Sequence, residues 1–379
     1  MTRAREHSRA NRTLKSIIET QGETAAGMMN LLGDLQRGKI SQTDESQFVV
    51  GRNRAAPRGA VVYENDLIQL IQYKPTKEKG DVSKHLIVPP AINKFYILDL
   101  HAKIPRSERR CRRGHQVFLV SWRTADASVA HKTWDDYDER RHRGTRVDAV
   151  QQVSGSDEIN TVGFCVGGTM LRPLSVLAAR GEHPASMTLL TAMLDFSDTG
   201  VVDVFVDEER ERVRELDAAH QPGRRTVLAA DRLFAHLHVR LVDKYVDNYL
   251  KGSTPAPFDL LYWNSDSTNL PGPMYAWYLR NTYLENRLRE PGGLTVCGEA
   301  VDLSLIDLPT FIYGSREDHI VPWQTAYAST SILTGPLKFV LGASGHIAGV
   351  VNPPRNRSAR TGVNDDSLPD RPTTGPPAR

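Results

Sequence analysis

The chain of 379 residues carries 48 Lys and Arg against 45 Asp and Glu, a formal net charge of +3, so no sequence-wide basic field points to nucleic acid as a partner. Cys111, Cys165 and Cys297 are widely spaced and form no CxxC pair, which argues against a zinc ribbon or redox dithiol and for a reducing compartment. No stretch approaches the ~18 uninterrupted apolar residues of a membrane span, and the basic N-terminus lacks the apolar centre of a signal peptide, so a soluble, cytoplasmic chain is expected.

From Thr13 to Gly38, Leu14, Ile17, Ile18, Met28, Leu31, Leu32 and Leu35 recur at helical spacing, and a polar linker follows. Residues 1–50 therefore read as amphipathic helix and linker, with a face for a core or a partner. From Arg58 onward, apolar runs alternate with helical or turn segments: AVVYEN, LIQLIQY, HLIVPP, QVFLVSW, INTVGFCV, SMTLLTAML, LPTFIYG and KFVLG. Near-continuous apolar runs are what strands buried on both faces of a parallel sheet show, so an α/β layered fold is expected. Its first part spans residues 51–199 and its second 296–354. Between them, residues 200–295 lose the strand pattern: a charged helix is expected near Asp207–Leu216, an apolar-periodic one over Leu228–Leu250, then an aromatic-rich stretch. Such an insertion suits either a cap over an active site or extra packing helices. Residues 355–379 are polar and proline-rich and are expected to lack structure.

Gly163 and Gly167 bracket Cys165 as G-x-C-x-G, directly after a predicted strand and before a helix expected near Met170–Ala179. That spacing matches the strained turn that presents a nucleophile at a sheet's carboxyl edge, where glycine is needed because neighbouring backbone passes too close for a Cβ. A lone buried cysteine is more often a small core residue, and the glycine bracket shifts the balance toward catalysis. The Val166 amide would supply one oxyanion donor, and Ile92 or Asn93, after an earlier strand, the second. A thiol needs a partner base. Nucleophile, acid and histidine follow in that order in hydrolases of this type, which points to Asp318 and His346, each just beyond a strand. Glu317 competes with Asp318 for the acid, and His319 with His346 for the base.

Together the blocks ENDLIQLIQY, PPAINKFYILDL, VSWR, KTWDDY, GFCVGGT, LDFSD, PFDLLYWNSDST, YLRNTYLENRL, EDHIVPW and SGHIAGVVNPP resemble those of the polyhydroxyalkanoate synthases, in particular the class I poly(3-hydroxybutyrate) polymerases, over about Arg12–Pro354. The resemblance implies an α/β-hydrolase core with a helical, aromatic-rich cap and a triad of Cys165, Asp318 and His346. It implies polymerisation of (R)-3-hydroxyacyl-CoA with release of CoA, by a homodimer on the surface of cytoplasmic polyester granules, without a metal or separate cofactor. His319 would lie near the route by which substrate enters, and Asp318 would act on the 3-hydroxyl or only orient His346. Tyr283 and Trp263 read as packing residues of the cap. Two other readings share these residues: a cysteine esterase or dienelactone-hydrolase-like enzyme, and a catalytically impaired granule-associated protein.

The resemblance also implies a longer helical N-terminal domain and an apolar C-terminal segment, so the chain reads as shortened at both ends. HAKIPRSERRCRRGHQ, DYDERRHRGTRVDAV and LRPL stand where apolar-faced helices are expected. A proline beyond a helix's first turn costs about 3 kcal/mol. These stretches have the look of local reading-frame shifts, which resequencing the source DNA tests.

Overall fold

A computed structural model describes residues 21–38, 40–51, 59–74, 83–100, 111, 114–137, 146–171, 184–220, 245–266, 268–352 and 361–363. The chain divides into two compact units, one of residues 1–55 and 229–267, the other of residues 56–228 and 268–379.

In the first unit, helix α1 (Gln21–Arg37) places Glu23 in its first turn and Arg37 in its last, the charge order that the helix dipole favours. Its buried Asp34 is the polar anchor. The Tyr249 hydroxyl donates to Oδ2 at 2.6 Å, and the Ser41 amide and hydroxyl donate at 2.8 and 2.7 Å. Burial alone would raise the Asp34 pKa, but these donors outweigh it and hold the carboxyl below its usual range. Met28, Met29, Leu32 and Leu35 are exposed, while Leu31 is half-buried.

Among the described residues, the second unit is built on a nine-stranded sheet in the order β1-β2-β4-β3-β5-β6-β9-β10-β11. The strands are β1 (Gly59–Glu64), β2 (Ile68–Tyr73), β3 (Lys84–Val88), β4 (Gln116–Trp122), β5 (Ile159–Phe164), β6 (Ser186–Leu190), β9 (Thr310–Ser315), β10 (Leu337–Gly342) and β11 (Thr361–Val363); β7 (Leu294–Val296) and β8 (Glu299–Val301) form a separate hairpin. From β4 to β10 every pairing is parallel, and β1, β2 and β11 extend the edges antiparallel. All eight apolar runs are strands. Phe118, Leu119, Ile159, Phe164, Leu86 and Leu189 are almost wholly buried, as strands covered on both faces require.

Three features differ from the reading of the sequence. The first two runs pair antiparallel, because β1 and β2 are joined by a short turn rather than a helix. Thr361–Val363, inside the tail expected to lack structure, is a strand on β10. The insertion is not one body: residues 229–267 belong to the first unit and 268–293 to the second. The charged helix runs over Glu208–His220. Of the helix expected over Leu228–Leu250, Tyr245–Leu250 is described, and Val246–Leu250 is a π-helical turn. The arginine-rich stretches, the LRPL proline and the helix expected from Met170 lie largely outside the described residues.

The glycines at the end of β5 are fixed by distance. A Cβ at Gly163 would lie 2.3 Å from Gly168 Cα, and one at Gly167 would lie 2.1 Å from the Val88 carbonyl oxygen and 2.7 Å from that of Pro89. Both obstacles are backbone, so they cannot rotate away. Gly167→Ala is therefore expected to destabilise the protein by about 3 kcal/mol or more, read as a lowered urea midpoint at unchanged m-value.

Candidate active site

Cys165 sits between β5 and the short helix Val166–Thr169 with φ 52° and ψ −127°, a conformation that a residue bearing a Cβ rarely adopts. Two hydrogen bonds hold it there: its amide donates to Leu190 O at 3.0 Å, and the Gly168 amide donates to its carbonyl at 2.8 Å. Such strain persists only where the surroundings enforce it, and it is concentrated at functional sites.

The other two predicted residues arrive on neighbouring strands. β9 and β10 run parallel in a register that pairs Ser315 with Gly342, so the loops that follow leave the sheet at the same edge. The Glu317 amide donates to Ser344 O at 3.1 Å and ties those loops together. Asp318 Oδ1 accepts from the amides of Ile320 and Val321 at 2.9 and 2.8 Å, which aims Oδ2 at His346 Nδ1, 2.7 Å away. Both side chains are buried, whereas Glu317 is exposed, so of the two acids it is Asp318 that meets His346. The His346 ring stacks on Phe164 at 5.7 Å, with Cys165 as its second polar neighbour.

Burial alone would lower the His346 pKa. Negative charge at Asp318 and at Cys165 outweighs it and pushes the pKa up to about 10. The imidazolium form of His346 is thus favoured in the folded protein. Because the folded pKa exceeds the ordinary value of about 6.5, the His346 contribution to stability is complete below about pH 6.5 and is lost as pH rises through about 10. Activity that needs the protonated ring is accordingly expected to hold across neutral pH and fall only near pH 10, which a pH series of single-turnover rates checks.

Of the other predicted residues, Val166 heads the helix after the thiol and is buried. The chain after β3 passes against Gly167 and carries Ile92, whose carbonyl accepts from Thr268 N at 3.1 Å, and Asn93, which is buried with no partner at Oδ1 among the described residues. His319 is half-buried and follows Asp318 in the chain. Tyr278, not singled out from the sequence, and Tyr283, read there as packing, meet edge to face at 5.7 Å at the π-helical turn Arg280–Leu284. Their spacing of five residues fits no α-helical face, so the sequence carried no signal to pair them. Among the described residues no cluster of three or more His, Cys, Asp or Glu could hold a metal ion.

Residues 84–353 match the family described as "alpha/beta hydrolase fold". The chain belongs to the α/β-hydrolase fold family. Within that fold it is related to polymerases: residues 7–105 match the family described as "Poly-beta-hydroxybutyrate polymerase (PhaC) N-terminus". It is 56% identical over 366 residues to the poly(3-hydroxyalkanoate) polymerase subunit PhaC of Cupriavidus necator, covering 94% of this chain and 62% of that one. It is 39% identical to the subunit of the same name from Rhizobium meliloti, covering 90% and 56%. The chain thus spans about three fifths of the length of these curated relatives. Among solved structures, the enol-lactonase from Burkholderia xenovorans LB400 is similar with a TM-score of 0.45 and 12% identity, over 77% of this chain and 94% of that one. No described helix of this hydrolase-fold chain is long and apolar enough to cross a membrane.

Proposed function

We propose that this chain carries the acyl-transfer site of a poly(3-hydroxyalkanoate) polymerase, with Cys165 as nucleophile, His346 as acid and base, and Asp318 as the group that orients and charge-stabilises the imidazole. The observation that carries the reading is a strained cysteine beside a buried His346–Asp318 pair, in a relative of named polymerases. The Cys165 thiolate adds to the thioester carbonyl of an (R)-3-hydroxyacyl-CoA, and the Val166 amide, with a donor from the Ile92–Asn93 loop, faces the oxyanion. CoA leaves with a proton from His346, and the acyl group remains on sulfur. A 3-hydroxyl from another acyl unit then gives its proton to His346 and attacks that thioester, forming an ester and returning the thiolate.

A thiol suits this cycle because exchange between two thioesters is nearly isoenergetic, so the acyl group can be loaded and passed on repeatedly. CoA belongs to the substrate and leaves as product, and the cycle draws on no other cofactor. By the same reading the chain works as a homodimer on the surface of cytoplasmic polyester granules, with His319 near the substrate's route to the thiol. The test is to supply (R)-3-hydroxybutyryl-CoA and follow both released CoA and acyl product. Polymer that sediments supports the reading, free 3-hydroxybutyrate alone assigns a cysteine hydrolase, and no CoA release by folded protein assigns a non-catalytic role.

A further inference from the structure

Strand β9 ends in Tyr313, Gly314 and Ser315, and the alternation of a strand puts the side chains of Tyr313 and Ser315 on one face of the sheet. There the Ser315 hydroxyl donates to the Tyr313 hydroxyl at 3.3 Å, with Ser315 wholly buried and Tyr313 half-buried. Two glycines of the following elements make room for this pair. A Cβ at Gly342 would run into the Tyr313 hydroxyl and stand 2.7 Å from its Cζ. One at Gly349 would lie 2.6 Å from the same hydroxyl and run into Ser315 Oγ. Gly342 closes β10 and Gly349 lies in the helix Ala348–Val351. Glycine weakens strands and helices alike, and the close approach of one phenol explains it at both places.

His346 lies between those two glycines. The segment that carries it therefore begins and ends against Tyr313, and it is closed on itself by the Gly349 amide, which donates to the Gly345 carbonyl at 3.0 Å. From that segment the imidazole reaches Asp318 Oδ2 at 2.7 Å and stacks on Phe164, the residue before the thiol, at 5.7 Å. The backbone of Tyr313 faces the other partner. Its carbonyl accepts from the Thr191 amide at 2.8 Å, and the preceding carbonyl, that of Leu190, accepts from the Cys165 amide at 3.0 Å. Thr191 has φ 43°, a left-handed conformation that a β-branched residue rarely adopts, so the Tyr313 carbonyl holds a strained link next to the one that fixes Cys165.

We propose that Tyr313, hydrogen-bonded to Ser315, is a positioning residue that sets where His346 stands relative to Asp318 and Cys165. Its side chain seats the histidine segment, and its backbone braces the end of β6 that holds the nucleophile. The hydroxyl oxygen is the Tyr313 atom nearest to both glycine positions, so phenylalanine leaves empty the space that the two glycines vacate. A segment no longer propped there settles into that space and carries the imidazole with it. Tyr313 touches no reacting atom and acts through His346 alone.

The consequence for rate rests on the acyl-transfer reading above, whereas the consequence for His346 does not, and the test measures both. The His346 ring is titrated by NMR, its signal assigned by its absence from His346→Gln. Single-turnover CoA release from (R)-3-hydroxybutyryl-CoA is followed at saturating and limiting substrate, with urea midpoints recorded, for the unaltered protein, Tyr313→Phe and Ser315→Ala. Burial opposes the raised His346 pKa of about 10, and Asp318 and Cys165 sustain it, so a displaced ring loses part of that hold. Tyr313→Phe is expected to lower the titration by about one pH unit, a tenfold weaker hold on the proton. It is also expected to slow CoA release about tenfold at an unchanged half-saturating concentration, short of the ~100-fold that a 1 Å misplacement can cost. Ser315→Ala is expected to move both in the same direction by less, and it carries the comparison if Tyr313→Phe loses its urea transition. A His346 titration that stays near pH 10 in the folded variants assigns Tyr313 to packing and overturns this inference, whatever happens to the rate. A lowered titration in a protein whose unaltered form releases no CoA supports the positioning role and overturns the acyl-transfer reading alone.

Discussion

Replacing Cys165 by alanine is expected to reduce CoA release by at least about 10⁴-fold, with the fold intact. The loss is large because, in the proposed cycle, every other part of the site acts through the sulfur. His346 has no proton to take without it, and an oxyanion donor at Val166 has no tetrahedral intermediate to stabilise. Alanine removes one atom from a buried position and keeps the Leu190 and Gly168 hydrogen bonds, which run through the backbone. Far-ultraviolet circular dichroism and the urea midpoint should therefore match those of the unaltered protein while CoA release vanishes. Substantial residual release would mean that another group is the nucleophile.

Asp318→Asn is expected to reduce CoA release by about 10³–10⁴-fold, although it is nearly isosteric. The carboxylate accepts on both oxygens, from Ile320 and Val321 on Oδ1 and from His346 on Oδ2. Asparagine has one acceptor and one donor. If its oxygen keeps the two backbone amides, its NH₂ faces Nδ1 and forces the imidazole into the tautomer that cannot serve Cys165. If it flips, two buried amides lose their acceptor. The negative charge that raises His346 is gone in either case, so the alkaline limit of activity near pH 10 should move to lower pH in this variant. A pH series on the residual activity, about 0.1% or less, measured at high enzyme concentration, checks the direction.

How much of this was legible in the sequence follows from which features are local. β5, the glycine bracket and Cys165 are contiguous, and the steric reason for each glycine is visible in the spacing alone; the structure adds what the missing Cβ would strike, Val88 O and Gly168 Cα. Asp318 and His346 could be named because each closes an apolar run, yet the exclusion of Glu317 needed the loop geometry that buries one carboxylate and exposes its neighbour. β7, β8 and β11 were missed because three residues are too few for a period to show. The Tyr278–Tyr283 pairing was missed for a different reason. A helix read at 3.6 residues per turn puts these side chains apart, and only the π turn brings them together.

The central claim is that an acyl group rides on Cys165. It is tested most directly by mixing the protein with (R)-3-hydroxybutyryl-CoA, quenching in acid within one turnover, and measuring the mass of the peptide that contains Cys165. The account predicts a 3-hydroxybutyryl adduct on that peptide, removed by hydroxylamine as a thioester is and absent from Cys165→Ala. An unmodified Cys165 peptide at a time when CoA has been released, or an adduct on another residue, would contradict it.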